Sequence, residues 1–179
     1  MVSSGNTARC TTFPQENEEW WDRHLPTSGR QFFGAPPCRA AMHILFVCTG
    51  NAARSQIAEG WARYLAPGTT AESAGTRPAR LSRRAVAAMA EAGVDISAQR
   101  SKPLSATAWR DADIAITLCG SAQEECVALP WSPVTQREHW PIADPVAAPA
   151  DDEPLAPFRV ARDDIRARVE ALLATLENK

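Results

Sequence analysis

Residues 43–47 (HILFV) form a short apolar run of the sort that fills a central strand covered on both faces. A loop of small residues follows at once, Cys48-Thr49-Gly50-Asn51-Ala52-Ala53-Arg54-Ser55. Apolar groups then recur at helical spacing, Ile57, Trp61, Tyr64 and Leu65, with Trp61 and Tyr64 expected to pack inward and Pro67 as the stop. A buried strand that turns so quickly into an amphipathic helix commits the chain to an α/β architecture, because the helix must return its apolar face to the sheet.

The alternation continues downstream. Residues 70–74 read as a second strand, 114–118 (IAITL) as a buried third and 137–140 as a short fourth. Between them Ser82 reads as the N-cap of a helix with Val86, Met89 and Ala90 on one face, closed by Gly93. Residues 157–176 set Phe158, Ile165, Val169, Leu172, Leu173 and Leu176 on one side of a long final helix. The expectation is a small doubly wound sheet of four parallel strands flanked by helices. Its site should lie at the carboxyl ends of the strands, where Cys48 and Cys119 fall.

Length and composition limit the rest. At 179 residues and 45% apolar content there is material for one ordinary domain. Nineteen basic and 21 acidic side chains give −2, so nothing suggests a coat for nucleic acid or an anionic membrane, and any anion must be held locally. No apolar run is long enough to span a bilayer, and no secretory pattern opens the chain. Five widely spread cysteines fit reduced thiols in a cytoplasmic monomer better than a disulfide framework. Residues 1–41 hold only Val2 and Leu25 as branched aliphatics, against four prolines and five aromatics. They read as an irregular extension, either a misassigned start before Met42 or a docking arm, with the domain over 42–179.

The loop carries the chemistry. Thr49, Gly50, Asn51, Ala52 and Ala53 let successive N–H groups turn inward as a nest for a tetrahedral oxyanion. The helix behind it points its positive end at the same place, and Arg54 adds a fork for two oxygens. All three favour the thiolate of Cys48, the nucleophilic form. Ser55 can donate to that sulfur, and Asn51 is expected to fix the loop, in a left-handed conformation. Cys48 and Arg54 could instead be an ordinary buried cysteine and a helix-start arginine; the complete strand–loop–Arg-Ser–helix context argues against that.

V-C-T-G-N-A-A-R-S-Q-I-A-E-G-W resembles the anion loop of the low-molecular-weight protein tyrosine phosphatase superfamily, and more closely its arsenate reductase branch. Further landmarks follow in family order: Ser73-Ala74-Gly75, residues 92–97 (AGVDIS), Leu118-Cys119-Gly120, residues 137–140 (REHW) and Asp144-Pro145. The resemblance implies that Asp144 is the general acid; on its own, Asp-Pro would be a plain surface turn. It also implies a relay in which Cys48 attacks arsenate, Cys119 attacks Cys48 and Cys126 resolves Cys119. An external thiol system, thioredoxin or glutathione with glutaredoxin, would then regenerate the enzyme, with no bound cofactor and no metal. About six mobile residues between Cys119 and Cys126, starting at Gly120, would let Cys126 swing in. A static Cys119–Cys126 disulfide, or zinc on Cys119, Cys126 and His139, are the alternatives.

Ala53 stands where many relatives carry a second loop cysteine. Relatives similar to the thioredoxin-linked type often bind potassium through residues matching Glu59, Asn51, Ser73 and an Asp. Lys102 takes the place of that Asp, so its ammonium is expected to pair with Glu59, brace Asn51 and make activity independent of potassium. The competing function is hydrolysis of phosphotyrosine through a Cys48 phosphoenzyme, for which aromatic walls around the loop are sought among Trp61, Tyr64, Trp109, Trp131 and Trp140. A non-catalytic oxyanion sensor acting through residues 1–41 is the third reading.

Overall fold

The computed structural model describes residues 42–148 and 153–177; the readings made for residues 1–41, including Cys10 and Cys38, lie outside them. The chain runs β1 (His43–Cys48), α1 (Arg54–Leu65), β2 (Thr70–Gly75), α2 (Arg83–Glu91), β3 (Ile114–Thr117), α3 (Gly120–Val127), β4 (Gln136–His139) and α4 (Ala156–Glu177), with two 3-10 turns, Leu104–Ala106 and Trp109–Asp111, before β3. The four strands form one parallel sheet in the order β2-β1-β3-β4. All six residues of β1 are buried, which is why it reads as an unbroken run rather than an alternation.

The strand order reverses direction between β1 and β3, so the loops leaving these two strands open a crevice at the carboxyl edge of the sheet. Register carries this down to single residues: Cys48 lies opposite Gly75, and Val47 opposite Thr117. One face of β1 sends Ile44 and Phe46 into a large core with Ile57 and Trp61 of α1 and Phe158, Ile165 and Val169 of α4. The other sends Leu45 and Val47 into a smaller core with Trp109, Ala112, Ala122 and Cys126. Each large side chain buried this way contributes about 1.5–3 kcal/mol.

Local signals account for most boundaries. Ser82 caps α2 by accepting from Ala85 N, and Gly93 ends the helix region at φ +78°, where a side chain would be strained. Three expectations are corrected. The buried face of α2 is Ala85, Ala88 and Met89, and Ala90 faces outward, because the helix packs on a slightly rotated stripe. Tyr64 is 57% exposed, since α1 turns only Trp61 of that pair into the core. The segment after Cys119 is a regular helix, α3, rather than a mobile linker, held by the burial of Ala122 and Cys126.

Candidate active site

The anion loop connects β1 to α1 and is shaped from outside. Thr76 N donates to Cys48 O (3.2 Å), Arg77 N to Thr49 O (2.8 Å), Ala79 N to Gly50 O (2.7 Å) and Ser82 N to Ala52 O (2.8 Å). With its carbonyls turned out to this neighbouring segment, the loop is left with inward amides. Those of Gly50, Ala52 and Ala53 have no acceptor among the described residues. Gly75 has to be glycine, because a β-carbon there would lie 2.8 Å from Thr49 O and 2.9 Å from Asn51 N. No acidic residue occupies the first turn of α1 to neutralise its positive end.

Cys48 is 2% exposed at the base of this loop. Its Sγ lies 3.0 Å from Ser55 Oγ, and Asn51 N donates to it at 3.2 Å. The Ser55 hydroxyl, whose oxygen accepts from Asn51 Nδ2, keeps its own proton for a hydrogen bond to the sulfur. Asn51 is the keystone. It adopts φ 45°, as expected, and its Nδ2 donates to Ser55 Oγ (2.9 Å) and Ser73 Oγ (2.8 Å). Ser73 donates onward to Glu59, which is 2% exposed and ion-paired to Arg63 (2.6 Å) and to Lys102 Nζ (3.6 Å). Lys102 therefore meets Glu59 as read from the sequence. Asn51 is braced by the backbone of that residue rather than by its ammonium: Lys102 N donates to Asn51 Oδ1 at 2.8 Å.

Arg54 spans the loop mouth. One terminal nitrogen donates to Ile142 O (3.1 Å) and the other pairs with Asp144 Oδ2 (2.9 Å). The Asp144 side chain is 41% exposed and accepts from Val146 N at its second oxygen, a turn-forming bond that aims the carboxylate back at the loop. Arg54 and the candidate acid Asp144 thus hold each other at the edge of the loop.

The second thiol pair marks the two ends of α3. Cys119 is half-buried at the start of α3, and its Sγ lies 3.2 Å from Thr49 Oγ1, so it adjoins the anion loop. Cys126 is buried in the last turn of α3, and burial, helped by Glu125 and Cys119, pushes its thiol up to about 11. All three cysteines are free thiols. His139 is engaged by Thr117 Oγ1 at 2.9 Å from its Nδ1.

Two supporting residues escape a reading of the sequence. Gln56 is fully buried and its Nε2 donates to Asn51 O, Asn51 Oδ1 and Arg100 O, tying the loop to the segment after α2. Ser101 Oγ also donates to Asn51 O. The available signal was Gln56 itself, a polar residue within the first buried turn of α1. The sought aromatic wall is not assembled: Trp109 and Trp131 pack edge to face at 5.0 Å, Trp140 packs against Phe46, and Tyr64 sits at the far end of α1.

A buried cysteine in an amide-lined loop, backed by a helix terminus and faced by Arg and Asp at the edge of a four-stranded parallel sheet, defines the class of cysteine-nucleophile oxyanion enzymes. Residues 43–179 match the family model described as low molecular weight phosphotyrosine protein phosphatase, and the chain belongs to that family. It is 43% identical over 136 residues to an arsenate reductase of Bacillus licheniformis, which covers 75% of this chain and 96% of the relative. A solved arsenate reductase in the phosphate binding state superposes with TM-score 0.62 at 36% identity, over 75% of this chain and 98% of that one. The low molecular weight protein tyrosine phosphatase from T. tengcongensis superposes with TM-score 0.64 at 26% identity, over 75% and 99%.

Proposed function

We propose that this protein reduces arsenate to arsenite, with Cys48 as nucleophile and Cys119 and Cys126 as the source of the two electrons. What supports this over phosphate ester hydrolysis is the 3.2 Å contact of Cys119 Sγ with Thr49 Oγ1, which sets a second thiol against the anion loop. Hydrolysis has no use for it.

Arsenate enters the amide nest and draws Arg54 from Asp144. The Cys48 thiolate attacks arsenic, and Asp144, in its protonated form, gives its proton to the departing oxygen, which leaves as water. Cys119 then attacks Cys48 Sγ. The S–As bond breaks with its electron pair staying on arsenic, so arsenic falls from the +5 to the +3 state, arsenite leaves, and a Cys48–Cys119 disulfide remains. Attack by Cys126 on Cys119 returns Cys48 as a thiol and moves the disulfide to Cys119–Cys126. In α3 these two residues are two helical turns apart, a rise of about 10 Å. A disulfide requires Cα atoms within about 7 Å, so α3 must unwind for the last exchange. Unwinding also exposes the new disulfide to an external dithiol.

Thioredoxin is the reductant proposed, with glutathione and glutaredoxin as the alternative; no bound cofactor is required. The working unit is a cytoplasmic monomer, with the catalytic domain over residues 42–179 and an extension over 1–41. Among the described residues no helix is long and apolar enough to cross a membrane.

The test is arsenate-dependent NADPH oxidation with thioredoxin and thioredoxin reductase, comparing the full chain with Cys119→Ser and Cys126→Ser. Continuous turnover by the parent and its loss in both variants is the expected result. A parent inactive on arsenate but fast on an aryl phosphate, with both variants equally fast, would make the protein a phosphatase.

A further inference from the structure

The segment that ties down the anion loop carries Arg77, Arg80, Arg83 and Arg84 with no acidic residue among them, in a chain whose net charge is −2. In α4, by contrast, Arg159, Arg162, Arg166 and Arg168 are all ion-paired, and within the segment itself Arg77 reaches Glu125 at 3.5 Å. Arg80 and Arg83 make no ion pair among the described residues. Arg83 and Arg84 also occupy the first turn of α2, the positive end of a helix, with no acidic residue there to offset them. Cations gathered where the backbone already favours anions are an electrostatic cost that a bound anion removes.

Beside this segment lies a groove of about 590 Å3, lined by Arg80, Arg83 and Arg100 together with Ser97, Ser101 and the apolar pair Leu81 and Val86, and by no carboxylate. Arg100 is pinned in place: one terminal nitrogen donates to the carbonyls of Ser97, Ala98 and Gln99, and its other guanidinium nitrogens have no partner among the described residues. The groove is distinct from the nest around Cys48 but joined to it, since Ala79 and Ser101, both in its wall, bond the carbonyls of Gly50 and Asn51. Its volume is that of a small-molecule site and far exceeds a bare tetrahedral ion.

We infer that this groove is a second anion site, taking a tetrahedral dianion carried on a small apolar body, as in a phosphate monoester. The arginine forks grip the oxygens, and Leu81 and Val86 receive the body. Free phosphate or arsenate shares the charged part and is the other source of the same chemistry. The site stands whether the Cys48 loop reduces arsenate or cleaves aryl phosphates.

Parallel titrations of the labelled full chain with inorganic phosphate and with n-butyl phosphate, followed by amide and methyl NMR, test it. The expected result is saturable shifts at Ser97, Gln99, Ser101 and the Val86 methyls on a curve separate from that of residues 50–54. Butyl phosphate should bind these groups at least about threefold more tightly, the gain from burying a few methylenes only in part. Arg80→Gln/Arg83→Gln should weaken groove binding about tenfold or more and leave the curve at residues 50–54 unchanged. Arg80→Lys/Arg83→Lys, which keeps the charge without the fork, should lose less, and it serves if the Gln pair fails to fold. Groove signals that move linearly, follow the loop curve, or ignore these substitutions would overturn the site. Equal affinity for the two ligands would overturn the apolar body and leave free oxyanion as the occupant.

Discussion

The anion loop and α3 face each other across one crevice and are held in opposite ways. Asn51 is fully buried, and its side chain and carbonyl engage Ser55, Ser73, Gln56, Ser101 and Lys102, while four outward carbonyls are bonded to the next segment. α3 spans eight residues, has no side-chain cap at Cys119 and buries only Ala122 and Cys126. An isolated helix of that length is unstable in water, so these two burials carry most of it. The loop is heavily cross-linked, whereas α3 is held by few contacts. On the proposed mechanism the nucleophile Cys48 belongs to the first and the resolving thiol Cys126 to the second.

The widest separation between the two regions should appear in turnover. Cys48→Ser removes the nucleophile and lowers arsenate reduction by on the order of 10³-fold or more. Cys126→Ser should still release one arsenite per chain in a rapid-quench experiment and then stop. Loss of that first turnover would show that the two regions do not divide the work.

Stability should divide the same way. Asn51→Ala leaves several buried polar groups unpaired at a left-handed backbone position, and should cost about 2–4 kcal/mol in denaturant unfolding of the whole domain. Gln123→Gly on exposed α3 should cost about 1 kcal/mol. Its effect should be confined to faster amide exchange within α3, and a global loss would mean that this helix is integral to the core.

The buried Cys126 thiol offers a pH test. Its pKa is raised to about 11 from the ordinary thiol value of 9.0, mainly by burial. Folded α3 therefore prefers the neutral thiol, and between pH 9 and 11 rising pH favours the unwound helix, where the thiolate is hydrated. In Cys48→Ser/Cys119→Ser protein, alkylation of Cys126 should keep climbing past pH 9 and level near 11. Levelling at 9 would mean that α3 does not bury it.

A comparably small effect is expected at Lys102. Its ammonium is partly exposed, and Glu59 keeps Arg63 as a partner, so Lys102→Met should cost about 1–2 kcal/mol. Because Lys102 already supplies a cation to Glu59, parent turnover should be the same in potassium and sodium at equal ionic strength. A steep potassium dependence would sink that account.

Much of this was legible along the chain. The unbroken run of β1, the Ser82 cap, the Gly93 stop and the loop from Cys48 to Ser55 are features of neighbouring residues, and local sterics and hydrogen bonding dictate them. Ala90, Tyr64 and the order of α3 were misread because each depends on how a helix is rotated or what covers it. Periodicity gives the stripe but not its last few degrees.

The sequence by itself determined a parallel α/β sheet, a cysteine at the end of its first strand, and an anion loop with Arg54 and Ser55 behind it. Tertiary structure alone decided that Arg54 closes on Asp144, 90 residues away, that Cys119 reaches Thr49, 70 away, and that the backbone N–H of Lys102 braces Asn51. It also drew Arg80, Arg83 and Arg100 into one groove. The reason is that such pairings depend on strand order and register, here β2-β1-β3-β4. Those are set by how whole faces pack, which no local pattern of residues encodes.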